Sequence, residues 1–243
     1  MMRRLLWPLP LVAALLAGPA ASAVETAAPI SEAEQRVFED AHLDNLPATA
    51  SLHYRYRRTE AGQPDVDDEV VLNARRDERK ELAVQVEYLH GERHLVLPDV
   101  EHPVSNPLIL YFLEADVRDM HRRLGGQENY FRHRIRLALA EGAQVSNVVV
   151  SYGGKTVPAT RVEIRPYVSD TQQERMRGMG SKTYRFTLSP QVPGGVYELS
   201  TQVAPAAGGQ PLIEEVVTLR SEAGGKGGDE GPRQAPGYMT EGK

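Results

Sequence analysis

The sequence predicts an α+β, β-rich fold: a mainly antiparallel curved sheet or sandwich, with an N-terminal helix and a central helical hairpin. Three observations carry this. From Leu52 to Leu219, apolar residues repeatedly alternate with polar ones, the period-two pattern of half-buried strands. Short Gly-containing turns separate these runs, so successive strands run antiparallel. One stretch, Asn106 to Gly142, replaces that rhythm with helical spacing.

The chain opens with Arg3 and Arg4, a mostly apolar run from Leu5 to Ala17, and the small-residue pattern Ala21-Ser22-Ala23. This is the layout of a secretory signal over residues 1–23, too short for a comfortable membrane span. It predicts a periplasmic or secreted protein. The mature chain would divide into a single β-rich domain, 24–220, and a Gly-rich tail, 221–243, whose low apolar content predicts disorder.

Ser31 and Glu34 form the pattern of a capping box, followed by Val37, Phe38 and Ala41 on one side of a short helix. Leu52, Tyr54 and Tyr56 then alternate with His53, Arg55 and Arg57. Val70, Leu72 and Ala74 follow after a turn, and Val84, Val86 and Tyr88 after a charged connection. Gly91-Glu92 predicts a two-residue hairpin turn pairing Tyr88 with Leu95 and Val86 with Leu97.

The helical stretch starts at Asn106-Pro107, a favoured N-cap followed by the residue that needs no N–H. Ile109, Leu113, Val117, Met120 and Leu124 form one stripe. Gly125-Gly126 ends that helix. A second runs near Gln127 to Glu141, with Phe131, Ile135, Ala138 and Leu139 on one side. Strand patterns resume over Val145–Tyr152, turn at Gly153-Gly154, and return through Val157, Ala159, Val162 and Ile164. The change of parity near Thr160 predicts a bulge. Thr171–Ser181 interrupts with Arg175, Met176, Arg177 and Met179 between glycines, either a lid or an ordinary connection. Tyr184, Phe186 and Leu188, then Tyr197 to Val203, then Leu212 to Leu219 complete the strands. The two strand groups on either side of the helices admit two arrangements: one continuous curved sheet crossed by the hairpin, or two small β units bridged by it.

The 28 basic and 33 acidic residues give a net charge of −5, and −7 once Arg3 and Arg4 are removed with the signal. An acidic whole argues against nucleic acid as partner. Cysteine is absent, which excludes disulfides, thiolate metal sites and cysteine nucleophiles. His90 and His94 fall on opposite faces of the predicted hairpin, and His121 and His133 sit among arginines, so no metal or cofactor is assigned. Gly153-Gly154-Lys155-Thr156 lacks the glycine five residues before Gly154 that a phosphate loop needs, and it joins two strands. No G-x-S-x-G elbow occurs. No catalytic residue is assigned.

The strongest lead is charge on the helical hairpin. Six arginines lie between Arg118 and Arg136, against Asp119 and Glu128, a local +4 in an acidic protein. Arg118 and Arg122 fall opposite the apolar stripe and Arg123 near its edge. Asp116 falls on the apolar side, where a lone carboxylate is costly, so it needs a cation: Arg123 or an arginine of the second helix. Arg118, Arg122, Arg123, Arg132 and Arg136, with Asp116, are the candidate ligand-binding residues. They form either an anion site or a solvated face with ion pairs to neighbouring strands. The build is similar in shape to periplasmic carriers of lipid or lipoprotein, a likeness that fixes no residue. The expectation is a non-enzymatic envelope protein binding a lipid-like or anionic ligand, or an envelope protein partner, with no transmembrane span after cleavage. A scaffold using a sheet edge or the tail, and a hydrolase with an unrecognised site, are the alternatives.

Overall fold

The computed structural model describes residues 29–98, 100–205, 210–221 and 233–234. The predicted signal over residues 1–23 and most of the predicted tail lie outside them. The fold is α+β with an open, curved antiparallel sheet. Its strands are β1 (Thr49–Glu60), β2 (Val66–Arg76), β3 (Leu82–Tyr88), β4 (Val100–Glu101), β5 (Gln144–Tyr152), β6 (Lys155–Ile164), β7 (Thr183–Leu188), β8 (Val196–Val203), β9 (Ile213–Leu219) and β10 (Arg233–Gln234). They join in the order β10-β5-β6-β7-β8-β9-β1-β2-β3-β4. Of the two arrangements the sequence admits, the continuous sheet is the one formed. Its two halves meet where β9 pairs with β1, Leu219 opposite Tyr54 and Val217 opposite Tyr56.

Among the described residues, three α-helices complete the fold. α1 (Glu32–Glu34) carries the expected capping box: Ser31 accepts the Glu34 N–H while the Glu34 carboxylate accepts the Ser31 N–H. The chain continues as a wider π turn over Gln35–Glu39, with Val37 buried. The hairpin is α2 (Leu108–Leu124) and α3 (Glu128–Glu141). Asn106 caps α2 through its side-chain oxygen, which accepts the Leu108 N–H at 3.0 Å. Gly125, at φ 73°, ends the helix in a backbone region that side chains disfavour.

The hairpin lies across one face of the sheet, the face of Leu52, Tyr54, Tyr56, Arg58 and Glu60 on β1. Tyr54 accepts from Asn106, Arg58 donates to Asp119 and Glu60 accepts from Arg123. Tyr88 of β3 stacks on Tyr111 of α2 with ring centres 5.9 Å apart. Phe131 of α3 meets Tyr167 edge-on. The predicted stripe residues Ile109, Val117, Met120, Phe131, Ile135 and Leu139 are all buried there.

Two local expectations are corrected. Tyr88 does bridge Leu95, but no hairpin strand returns: Leu89 turns to φ 59°, a 3-10 turn covers Gly91–Arg93, and β3 next pairs with β4. Leu89 is thereby buried, and the exposed His90 ring instead meets Asp68 at 2.6 Å. There is no bulge at Thr160. The β5–β6 ladder runs unbroken from Gln144–Glu163 to Tyr152–Lys155, and the register shift in this half lies between Thr187 and Leu188 of β7. The parity change is instead a change of buried face. Val162 and Ile164 are buried beside β7, whereas Val157 and Ala159, beyond the Thr160–Leu188 end of that ladder, are buried on the other side.

Candidate functional site

The underside of α2 carries a row of charge. Asp116, Asp119 and Arg123 are spaced three and four apart, which places them on one face of a helix, and each meets a charged side chain rising from the sheet or, for Asp116, Lys182 just before β7. Asp116 is 2% exposed. Its two oxygens are taken by Lys182, which forms a buried ion pair with it, and by the Tyr184 hydroxyl, which donates at 2.6 Å. The expectation of an arginine partner for Asp116 is therefore corrected. Arg123 lies two turns further along the same face, at the rim of the interface, too far along the axis to reach back. It donates to both Glu60 oxygens at 2.7 Å and to Asp119 at 2.7 Å.

Asp119 also accepts from Arg122 at 2.6 Å and from Arg58 at 3.3 Å. Arg58 in turn donates to Glu60 at 2.9 Å and to Glu215 of β9 at 2.8 Å. Burial pushes the Asp119 carboxyl up, but Arg58, Arg123 and Arg122 outweigh it and hold the group down at about 2. Glu215, buried more deeply and met by one guanidinium, is pushed up by burial. Two carboxylates on one arginine are thus driven in opposite directions by depth.

Sequence reasoning missed Lys182, Arg58, Glu60 and Glu215. The signal was present. Each continues an inward parity: Arg58 and Glu60 after Leu52, Tyr54 and Tyr56; Glu215 between Ile213 and Val217; Lys182 before Tyr184 and Phe186. A charge at a buried parity calls for a partner from whatever packs on that face.

Clefts flank the hairpin on two sides among the described residues. The first, about 670 Å³, opens beside the charged row and is lined by Tyr56, Arg58, Glu60, Arg93, His94, Arg118, Asp119, Arg122, Arg123 and Glu215, among others. Its arginines are largely neutralised inside the molecule. Arg118 pairs with Glu114, and Arg122 and Arg123 with Asp119. The second, about 350 Å³, is apolar. Phe38, Leu97, Val100, Leu110, Leu113, Val117, Ile135 and Leu139 form its walls, with Glu114, Arg132 and Arg136 at the polar side. Leu110 is 44% exposed there. Arg132 is braced by Glu114 at 2.7 Å and Glu128 at 2.6 Å. Arg136 is exposed and makes no ion pair among the described residues. The structure thus divides the predicted cluster: Arg118, Arg122 and Arg123 stand on the polar cleft, Arg132 and Arg136 on the apolar groove, and Asp116 beneath the helix on neither. Among the described residues no group of three His, Asp or Glu side chains is placed to hold a metal ion, and no helix is long and apolar enough to cross a membrane.

No protein-family model matches the chain, and no curated protein matches it. Among solved structures, it is similar to the Mycobacterium tuberculosis lipoprotein LppX at 10% identity and a TM-score of 0.27, over 71% of this chain and 85% of that one. It is similar to a chain of the Pseudomonas aeruginosa MucA/MucB complex at 13% identity and a TM-score of 0.32, over 80% of this chain and 57% of that one. A LolA superfamily protein from Nitrosomonas europaea overlaps at 8% identity and a TM-score of 0.22, over 83% and 93%. Overlap at this level fixes neither ligand nor partner.

Proposed function

We propose that this is an exported, non-enzymatic envelope protein that binds an amphipathic ligand, apolar at one end and anionic at the other, against the outer side of the helical hairpin. The observation that carries the reading is the apolar groove with Arg136 unpaired at its rim. Its size lies at the lower end for small-ligand sites, which are concave, mostly apolar and oriented by few polar groups. Leu110, Leu113, Ile135 and Leu139 offer the apolar wall; Arg136, helped by Arg132, offers the charge for a carboxylate or phosphate. The polar cleft, with Arg118, Arg122 and Arg123, is the weaker candidate, because an incoming anion there competes with Asp119 and Glu60 already in place.

The test is native mass spectrometry of gently purified protein, together with thermal melting in palmitate and in lysophosphatidylglycerol. At about a hundredfold excess over Kd, a bound probe stabilises by ~2.7 kcal/mol, a rise in Tm of several degrees. Leu110→Glu and Arg136→Ala, both at exposed positions, are expected to remove most of that rise without lowering the unliganded Tm. Empty protein in every preparation and melting indifferent to both amphiphiles would overturn the reading.

A further inference from the structure

The two edges of the sheet are unlike. On one, β3 is covered by β4 at Ala83 and Val84 and by Leu95 at Tyr88. The charged Glu87 stands in the stretch between. On the other lies β5, nine residues long, Gln-Val-Ser-Asn-Val-Val-Val-Ser-Tyr. It carries no charge, no proline and no glycine, and four of its residues are valine. A long, uncharged, β-branched edge presents a row of backbone donors and acceptors that another strand can pair with, and natural sheets guard such edges.

The guard here is the chain's own β10. It runs antiparallel, with Arg233 opposite Val149 and Gln234 opposite Val148. Two residues of it are described. Pro232 and Pro236 bracket it, and proline has no N–H to give to a ladder. Outside Val148 and Val149, β5 has no ladder partner on that side among the described residues.

We propose that the outer edge of β5 is a strand-addition site for a second copy of this chain, and that Arg233–Gln234 is its cap in cis. β5 suits itself as a partner. Paired antiparallel about Val148, it places Gln144 opposite Tyr152 and Asn147 opposite Val149, with no like charges opposed. The result is a closed two-fold interface. A nine-residue strand in trans offers several times the ladder of the two-residue cap. The cap prevails in the intact chain because it is tethered, at a high effective concentration. This inference is independent of the apolar groove.

The experiment is sedimentation velocity over a concentration series with the full chain. The cap is broken by Arg233→Pro with Gln234→Pro, and the edge is guarded by adding Asn147→Lys with Ser151→Lys, both at exposed positions. The cap variant is expected to dimerise with a self-association constant roughly tenfold or more above wild type, and the lysine pair to return it to monomer. Amide exchange over residues 144–152 should slow on dimerisation. A cap variant that stays monomeric, or a dimer that survives the lysine pair, overturns the proposal. So does a wild-type chain that dimerises as tightly as the variant. Unchanged far-UV circular dichroism and Tm in each variant separate these outcomes from misfolding.

Discussion

Asp116 has two carboxylate oxygens, and both are spent inside the molecule, on Lys182 and on Tyr184. Lys182 is 2% exposed, so neither charge has water to fall back on. Removing one partner from such a pair leaves a bare buried charge, which typically costs ~3–5 kcal/mol, whereas replacing both with apolar groups of similar size is often nearly neutral. Lys182→Met is therefore expected to lose that amount in urea unfolding, and Asp116→Leu with Lys182→Met to recover most of it. Equal stability of single and double variants would show that the pair is not coupled. Asp116 belongs to the packing of α2; its sequence position identified it as buried and paired, but pointed to an arginine where the partner is Lys182.

At the scale of the element, α2 is a helix with two working sides. Its underside is held to β1 and β9 through Asp119, Arg123, Arg58, Glu60 and Glu215; its outer side contributes Leu110 and Leu113 to the apolar groove. The ionic underside makes the attachment pH-dependent. Asp119 lies at about 2 in the folded chain, below its ordinary value of 3.8. A depressed carboxyl stabilises the fold above the unfolded value, and that contribution drains away as pH falls through the folded one. The shift corresponds to ~2 kcal/mol. Tm measured between pH 7 and pH 2 is expected to fall below about pH 4, and Asp119→Asn, less stable at neutral pH, to show a flatter acid limb. Parallel acid limbs in the two proteins would refute the assignment. Glu215 works in the opposite sense: burial raises it, so ionising it on the way up from acid pH costs stability.

For the whole molecule, the decisive contact is β9 against β1, where residues near the end of the domain pair with residues near its start. It joins two strand groups that would each have a thin core, and it brings Glu215 under Arg58. β9 is interior, flanked by β8 and β1, so a proline there removes ladder bonds that have no substitute. Val217→Pro is expected to cost at least the ~1–3 kcal/mol of a buried backbone group left without its partner and to broaden thermal unfolding, as the halves lose their seam. A sharp transition near the wild-type Tm would mean that the halves are stable apart.

What the sequence determined by itself was local. The capping box at Ser31, the cap at Asn106, the stop at Gly125, the alternation in β1, β2 and β3 and the stripes of both hairpin helices each follow from neighbouring residues, because propensity, capping and periodicity act over a few positions. Local reading failed where a neighbour in space overruled it. After Tyr88, the burial of Leu89 displaced a regular hairpin. At Thr160, a strand end projecting past β7 buried its other face. Lys182 lay nearer in space to Asp116 than any arginine on the helices. Only the tertiary structure decided that the strands form one sheet, which edge of it lies open, and how the arginines divide between a neutralised cleft and an apolar groove with Arg136 at its rim. These are properties of residues far apart in the chain, and they come into being only when β9 closes against β1.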